Sequence, residues 1–277
     1  MGTTQLLTNG GHPEGMAAGR RDDRWWLGVV ATVGMLTLFG IYATWAAFQG
    51  NHYYVHPYLS PFYSPVLFTD ASVPGAAPVW HAAFGAWPEW WPEFLPASPA
   101  FFILAFPGAF RFTCYYYRKA YYRSFTGSPP GCALVPVAKQ MREYRGEARF
   151  LILQNLHRYA LYPALLFLPI LWADVIAAFV RNGEIGIGVG SLVLFMNATL
   201  LSGYTLGCHS FRHLIAGHAD CMSCGKQTTR YRMWKGSTRL NVFHSRFAWF
   251  SLFWVGFSDV YVRLVSMGII RDFSTWS

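Results

Sequence analysis

The residues able to do chemistry in this chain are its thiols and imidazoles. All five cysteines (Cys114, Cys132, Cys208, Cys221, Cys224) and five of the nine histidines (His157, His209, His213, His218, His244) fall near one edge of a set of apolar segments. The same edge carries most of the positive charge. Thiolate and imidazole are the side chains that bind zinc, copper, iron and iron–sulfur clusters. Their gathering at one depth, from several separate segments, suggests a buried redox or metal centre.

Each motif has two readings. In Gly207-Cys208-His209-Ser210-Phe211-Arg212-His213, the two histidines are four residues apart and share one face of a helix. That spacing lets two imidazoles hold one metal ion, as in metalloprotease helices. Hydrogen bonding to headgroups or neighbouring helices explains the pair as well. Cys221-Met222-Ser223-Cys224 is a C-x-x-C, a zinc or redox spacing, but it lies in a polar loop and equally suits two free thiols. His157 falls roughly 12 Å into its apolar segment and His244 roughly 6 Å into another, at a rise of 1.5 Å per residue. Ionisable groups inside a membrane are rare and usually functional, although one histidine can also be a donor between helices. Two of them near the level of His209 favour a shared centre. Cys114 and Cys132 alone would be filler thiols; with Cys208 they bring three thiols to the histidine level.

The elements that must position these groups are membrane spans. The chain has 277 residues, 53% of them hydrophobic and only 13% charged, against about 25% charged in an average globular domain. Five apolar runs approach the roughly 20 residues that cross a bilayer. The expected fold is an all-α polytopic bundle of five transmembrane helices over residues 25–47, 98–117, 149–180, 185–215 and 240–269, with Pro107 and Gly108 interrupting the second. Residues 1–24 read as a polar, Gly-rich, disordered cytoplasmic tail. The long loop 49–97 is rich in Pro, Tyr and Trp, and a short surface helix is expected there, with Trp80, Trp87, Trp90 and Trp91 at the interface.

Basic residues alternate with the spans. Arg20, Arg21 and Arg24 precede the first, the loop 49–97 has no Lys or Arg, and Arg111, Arg118, Lys119, Arg123, Lys139, Arg142, Arg145 and Arg149 cluster between the second and third. Arg212, Lys226, Arg230, Arg232, Lys235 and Arg239 follow the fourth. By the positive-inside rule the N-terminus is cytoplasmic and the C-terminus outside. The net charge of +9 is then mostly a topology signal. It gives a basic inner face for a soluble partner or anionic lipid and no reason to invoke nucleic acid. The cysteines lie on the reducing side, where structural disulfides are rare. In the outer halves of the spans, Asp259 and Arg263 are spaced to pair, and Asp174 suits helix pairing or proton uptake. Tyr116, Arg118, Tyr121, Arg158 and Trp234 at the inner edge could form a quinone headgroup site or an interfacial belt.

The strings FPGAFRFTCYYYRKAYYRSF…SPPGCA, LILQNLHRYALY, LGCHSFRH and LNVFHSRFAWFSLFWVGFSDVYV resemble the membrane subunit of an actinobacterial succinate dehydrogenase, in the form with a single anchor subunit. The resemblance runs from Ser98 to about Ile269. It implies the plasma-membrane anchor of a respiratory complex II. In that complex a flavoprotein oxidises succinate, an iron–sulfur subunit relays the electrons, and the anchor delivers them to quinone. It leaves open a higher oligomer of the complex. It also implies a Rieske-type [2Fe–2S] cluster, which takes two thiolates and two imidazoles.

The soluble Rieske spacing is absent here, so the ligands would come from different helices. The set that the resemblance implies is Cys114 and Cys208 with His157 and His244, and His209, His213 and Cys132 stand in reserve. Haem b between two histidines is the alternative within the same complex. A membrane di-iron hydroxylase or desaturase would use His209 and His213 as one histidine box, but no second box occurs. A cofactor-free or zinc-stabilised anchor is the third class.

Overall fold

The computed structural model describes residues 24, 26–92, 94–114, 116, 117, 120, 124, 125, 151–216 and 229–276. Arg118, Tyr121, Cys132, His218, Cys221, Cys224, most of the tail 1–24 and the basic segment 126–150 lie outside these residues.

The chain is helical, with several long apolar helices. Helix α1 (Trp26–Gln49) is followed by the ordered segment 50–97, then the short α2 (Pro99–Ile103) and α3 (Ala105–Thr113). Next come α4 (Leu151–Ala177), α5 (Val189–Leu206), α6 (His209–Ala216), α7 (Thr229–Val242) and α8 (His244–Ser266). By length and apolarity, the segments Trp26–Gln49, Leu156–Ala177 and Val189–Leu206 could each cross a membrane. Helix α8 is long enough but carries Arg246, Asp259 and Arg263. Helix α5 packs against α8 and α4, and α3 packs against α4.

Three of the expected spans are broken, each for a local reason. The second breaks at Leu104, where Pro107 has no N–H to offer the Ile103 carbonyl; α3 then restarts with Pro107 in its first turn. The fourth ends at Leu206, and His209 opens a new helix rather than closing the old one. The fifth is divided at Phe243, so His244 begins α8 instead of lying a turn inside a continuous span. Residues 180–185 form no helix. They are a two-stranded hairpin, β3 (Val180–Arg181) with β4 (Glu184–Ile185), turned at Asn182-Gly183 with φ of 53° and 84°. Positive φ at both central residues is the geometry of a tight hairpin, which Asn-Gly adopts readily.

The segment 50–97 holds no surface α-helix. It contains the hairpin β1 (Tyr54–Val55) with β2 (Tyr58–Leu59), a 3-10 turn at Val79–His81, and otherwise irregular chain. Gly50, with φ of +64°, ends α1 in the left-handed conformation glycine tolerates. The segment then folds back into the bundle. Tyr53, Leu59, Phe62, Tyr63 and Val66 form a buried cluster with Ala46, Ala47 and Ala100, and Tyr53 and Tyr63 stack with centroids 4.3 Å apart. On its exposed rim, Asp70 accepts hydrogen bonds from Ser72 Oγ and N at 2.6 and 2.9 Å, which hold its carboxyl below the usual carboxylate range.

Buried polar side chains fasten this cap to the helices. Asp259 accepts from Arg263 Nε at 2.7 Å, from Tyr42 Oη at 2.5 Å and from Ser60 Oγ. Arg263 also donates to the Asn51 carbonyl at 2.9 Å and to Tyr63 Oη at 3.0 Å. Ser64 Oγ donates to Asp174. The expected pairing of Asp259 with Arg263 is present, and Asp174 is held by the cap. At the same end, Asp272 accepts from Gly190 N at 3.0 Å, at the start of α5 where a carboxylate is favoured, and from Tyr58 Oη at 2.7 Å. The cap, the β3–β4 hairpin and the C-terminal tail therefore share one end of the bundle. Cys114, Cys208, His157 and His244 lie at the other.

Candidate redox centre

Four elements deliver four side chains to this second end. Cys114 is the residue on which α3 stops: its φ and ψ are −62° and 128°, and its N–H donates to the Arg111 carbonyl at 3.2 Å. Cys208 follows α5 directly. Helix α7 fixes that terminus, because Asn241 Nδ2 donates to the Gly207 carbonyl at 2.7 Å and Ser237 Oγ to the Leu206 carbonyl at 2.6 Å. These are carbonyls that a helix end otherwise leaves without partners. Gly207 makes the approach possible, since a Cβ there would sit 3.2 Å from Leu240 of α7. His157 comes from the first turns of α4 and His244 from the start of α8.

The four residues form two thiol–imidazole pairs. His157 Nε2 is 3.1 Å from Cys208 Sγ, and His244 Nε2 is 3.9 Å from Cys114 Sγ. Cys114, Cys208 and His157 are 3%, 2% and 7% exposed, too little for bulk water to compete as a ligand. Both cysteines are free thiols and belong to one buried cluster with Phe110, Tyr117, Tyr204 and Leu252. An aromatic ring covers each imidazole: Phe110 stacks on His157 at 4.7 Å and Tyr204 on His244 at 5.0 Å.

The tautomer of His157 follows from its neighbours. Thr113 Oγ1 lies 3.0 Å from His157 Nδ1 and spends its own proton on the Ala109 carbonyl, 2.7 Å away. The threonine oxygen therefore accepts from Nδ1–H, and Nε2, the nitrogen facing Cys208, carries the lone pair. This is how an outer hydrogen bond orients a metal-binding imidazole. His244 Nδ1 is buried without a hydrogen-bond partner. Arg111 adds a buried cation. Its guanidinium donates to Tyr117 Oη at 2.7 Å, to the Ala248 carbonyl at 3.1 Å and to Ser251 Oγ at 2.8 Å, and it lies 4.7 Å over the Tyr204 ring. A positive charge here favours any centre that gains an electron.

The remaining candidates lie elsewhere. His209 and His213 are exposed on α6. Tyr116 accepts from Trp249 Nε1 at 2.8 Å, Trp234 packs under the Arg212 guanidinium at 5.3 Å, and Arg158 is exposed. Among the described residues, no three His, Cys, Asp or Glu side chains converge on a single ion position; the arrangement is two pairs. Thr113, Tyr204 and Arg111 were not singled out from sequence. Arg111 was counted with the basic loops, although an arginine inside an apolar run is itself a signal. An apolar cavity of about 160 Å³ lies against the centre at Phe110, Arg111 and Tyr204 and runs toward Pro61 and Phe62 of the cap.

Long apolar helices, a buried polar clamp at one end and paired thiols and imidazoles at the other fit a polytopic membrane protein of the redox type. The chain matches the family described as actinobacterial succinate dehydrogenase subunit SdhC over residues 27–268, and it belongs to that family. It is also similar to a chain of the Mycobacterium smegmatis Sdh1 complex in the apo form, at 43% identity and a TM-score of 0.77, covering 92% of this chain and 93% of that one. No curated protein matches it. It is thus a membrane-anchor and electron-transfer subunit of a succinate:quinone oxidoreductase, itself without succinate chemistry.

Proposed function

We propose that Cys114, Cys208, His157 and His244 hold a Rieske-type [2Fe–2S] cluster through which this anchor passes electrons from a soluble iron–sulfur subunit to quinone. The observation that carries the reading is the pair of thiol–imidazole contacts, one buried and one half-buried, built from four separate elements at one end of the bundle. The donor set fits: two thiols and two imidazoles, with His157 Nε2 turned toward Cys208 and His244 Nδ1 buried without a hydrogen-bond partner. When bound, such a cluster supplies a one-electron carrier of raised potential.

The protein's own part is to place and shield that carrier. Thr113 sets the His157 tautomer, Phe110 and Tyr204 exclude water, and Arg111 stabilises added negative charge. Haem b is less well supported. Both imidazoles direct Nε2 at sulfur rather than toward each other's helix. The exposed His209 and His213 act as reserves at most, as does Cys132.

Five spans complete the proposal, with α2–α3 and α8 as the second and fifth, an N-terminus inside and a C-terminus outside. The soluble flavoprotein and iron–sulfur subunits dock on the inner face. There α7 presents Arg230, Arg232, Lys235 and Arg239 without an acidic residue. Tyr116, Arg118, Tyr121, Arg158 and Trp234 remain the proposed quinone headgroup residues.

The test is low-temperature EPR of the dithionite-reduced complex against the soluble subunits alone. An added rhombic signal with the low average g of a histidine-ligated [2Fe–2S] cluster is expected. A low-spin haem signal in the oxidised sample would instead make the histidines haem ligands, and a spectrum adding neither would leave a passive anchor. A finer test is Thr113→Val, which keeps the shape and removes the acceptor for His157 Nδ1–H. Loss of such an outer partner typically costs about 10–100-fold, so quinone reduction should fall by that order while dye reduction is unchanged. Full quinone activity would show that Thr113 does not orient His157.

A further inference from the structure

We propose that the Tyr204 hydroxyl is a hydrogen-bond donor to the Cys114 sulfur and thereby raises the reduction potential of the membrane centre. The proposal rests on Cys114 being a thiolate ligand there.

Tyr204 is 1% exposed and held on every side. Its ring stacks on His244 at 5.0 Å, meets Phe110 and Tyr117 edge-on at 5.5 and 6.1 Å, and lies under the Arg111 guanidinium at 4.7 Å. No nitrogen or oxygen pairs with the hydroxyl at the end of this fixed ring, and the Cys114 sulfur is the neighbour within its hydrogen-bonding reach. Leaving a buried hydroxyl unpaired costs on the order of 1–3 kcal/mol. A position so tightly built around such a group therefore implies an acceptor that is present in the working protein.

The groups beside the hydroxyl narrow the choice. They are the Cys114 sulfur, the Arg111 guanidinium and the Tyr117 hydroxyl. A guanidinium has donors only. The Tyr117 oxygen is already engaged, donating to the Ala248 carbonyl at 2.5 Å and accepting from Arg111 at 2.7 Å. The sulfur remains. As a thiol it is a weak acceptor, which accounts for the open hydroxyl here; as a metal-bound thiolate it is a stronger one. A hydrogen bond to a ligating sulfur draws negative charge from it and favours the reduced state, one of the recognised controls on iron–sulfur potentials. Tyr204 is thus a tuning residue that acts through Cys114.

Redox titration of the membrane centre's EPR signal in the whole complex tests this, with the wild type beside Tyr204→Phe. The substitution keeps every ring contact and removes one oxygen. The expected result is an intact signal whose midpoint potential is lower. Site-specific 3,5-difluorotyrosine at position 204 gives a stronger donor, and the midpoint should rise. It also decides the matter if Tyr204→Phe does not assemble. An intact signal whose potential moves with neither change overturns this proposal and leaves the cluster reading standing. No added membrane signal in the wild type overturns both.

Discussion

Replacing His157 and His244 together by alanine is expected to abolish succinate-to-quinone electron transfer while succinate oxidation by a soluble dye continues at the wild-type rate. Each imidazole is one half of a thiol–imidazole pair, 3.1 Å from Cys208 and 3.9 Å from Cys114. Alanine removes both nitrogens and leaves gaps beneath Phe110 and Tyr204. The loss should exceed the roughly 10–100-fold that follows when only a ligand's outer partner is removed. The dye takes its electrons before the membrane, so its reduction depends on the soluble subunits alone. Loss of both activities with those subunits still bound would sink the assignment, and so would retention of quinone reduction. His209→Ala with His213→Ala is the matched comparison, and exposure of both on α6 predicts little effect on either rate.

Asp259→Ala is expected to cost about 3–5 kcal/mol of stability, as breaking one partner of a buried pair usually does. The carboxylate and guanidinium are 0% and 4% exposed, and removing the acid leaves the Arg263 charge buried against neutral oxygens. Tyr42 and Ser60 lose their acceptor at the same time, which releases the cap from α1 and α8. Thermal unfolding of the complex in detergent measures the cost, and limited proteolysis of the segment 50–97 measures the release. Replacing the pair together, with Asp259→Leu and Arg263→Met, should be much milder, because desolvation of both charges vanishes with them. A single variant as stable as the wild type would mean that the cap is held by its apolar cluster alone.

The four residues of the proposed centre were easier to pick out in the sequence than the architecture that brings them together. Cys114, His157, Cys208 and His244 stand out because polar ligand types are rare in apolar runs, and positive charge marks which end they share. How they pair was not legible, since it depends on where three helices break. Hydropathy joins α5 to α6 because Gly207 and Cys208 do not interrupt an apolar window, yet the helix stops there once Ser237 and Asn241 of α7 supply partners for its last carbonyls. Those partners lie some 30 residues away in the chain. Residues 50–97 read as an exposed loop because they lack helical periodicity. Their burial comes from single contacts, such as Ser60 with Asp259 and Ser64 with Asp174, that no local pattern announces. Tyr204 was hidden for the opposite reason: one aromatic among many in a span looks like packing until its hydroxyl is found without an acceptor.

The two aromatic rings lying flat on the imidazoles have a kinetic consequence. Phe110 and Tyr204 leave His157 and His244 little room to swing when the charge beside them changes. Dipoles already fixed in place need no rearrangement at the moment of reaction. At the proposed cluster the reorganisation energy of electron arrival and departure should therefore be small, and the speed of the relay should depend on the spacing between carriers more than on solvent relaxation.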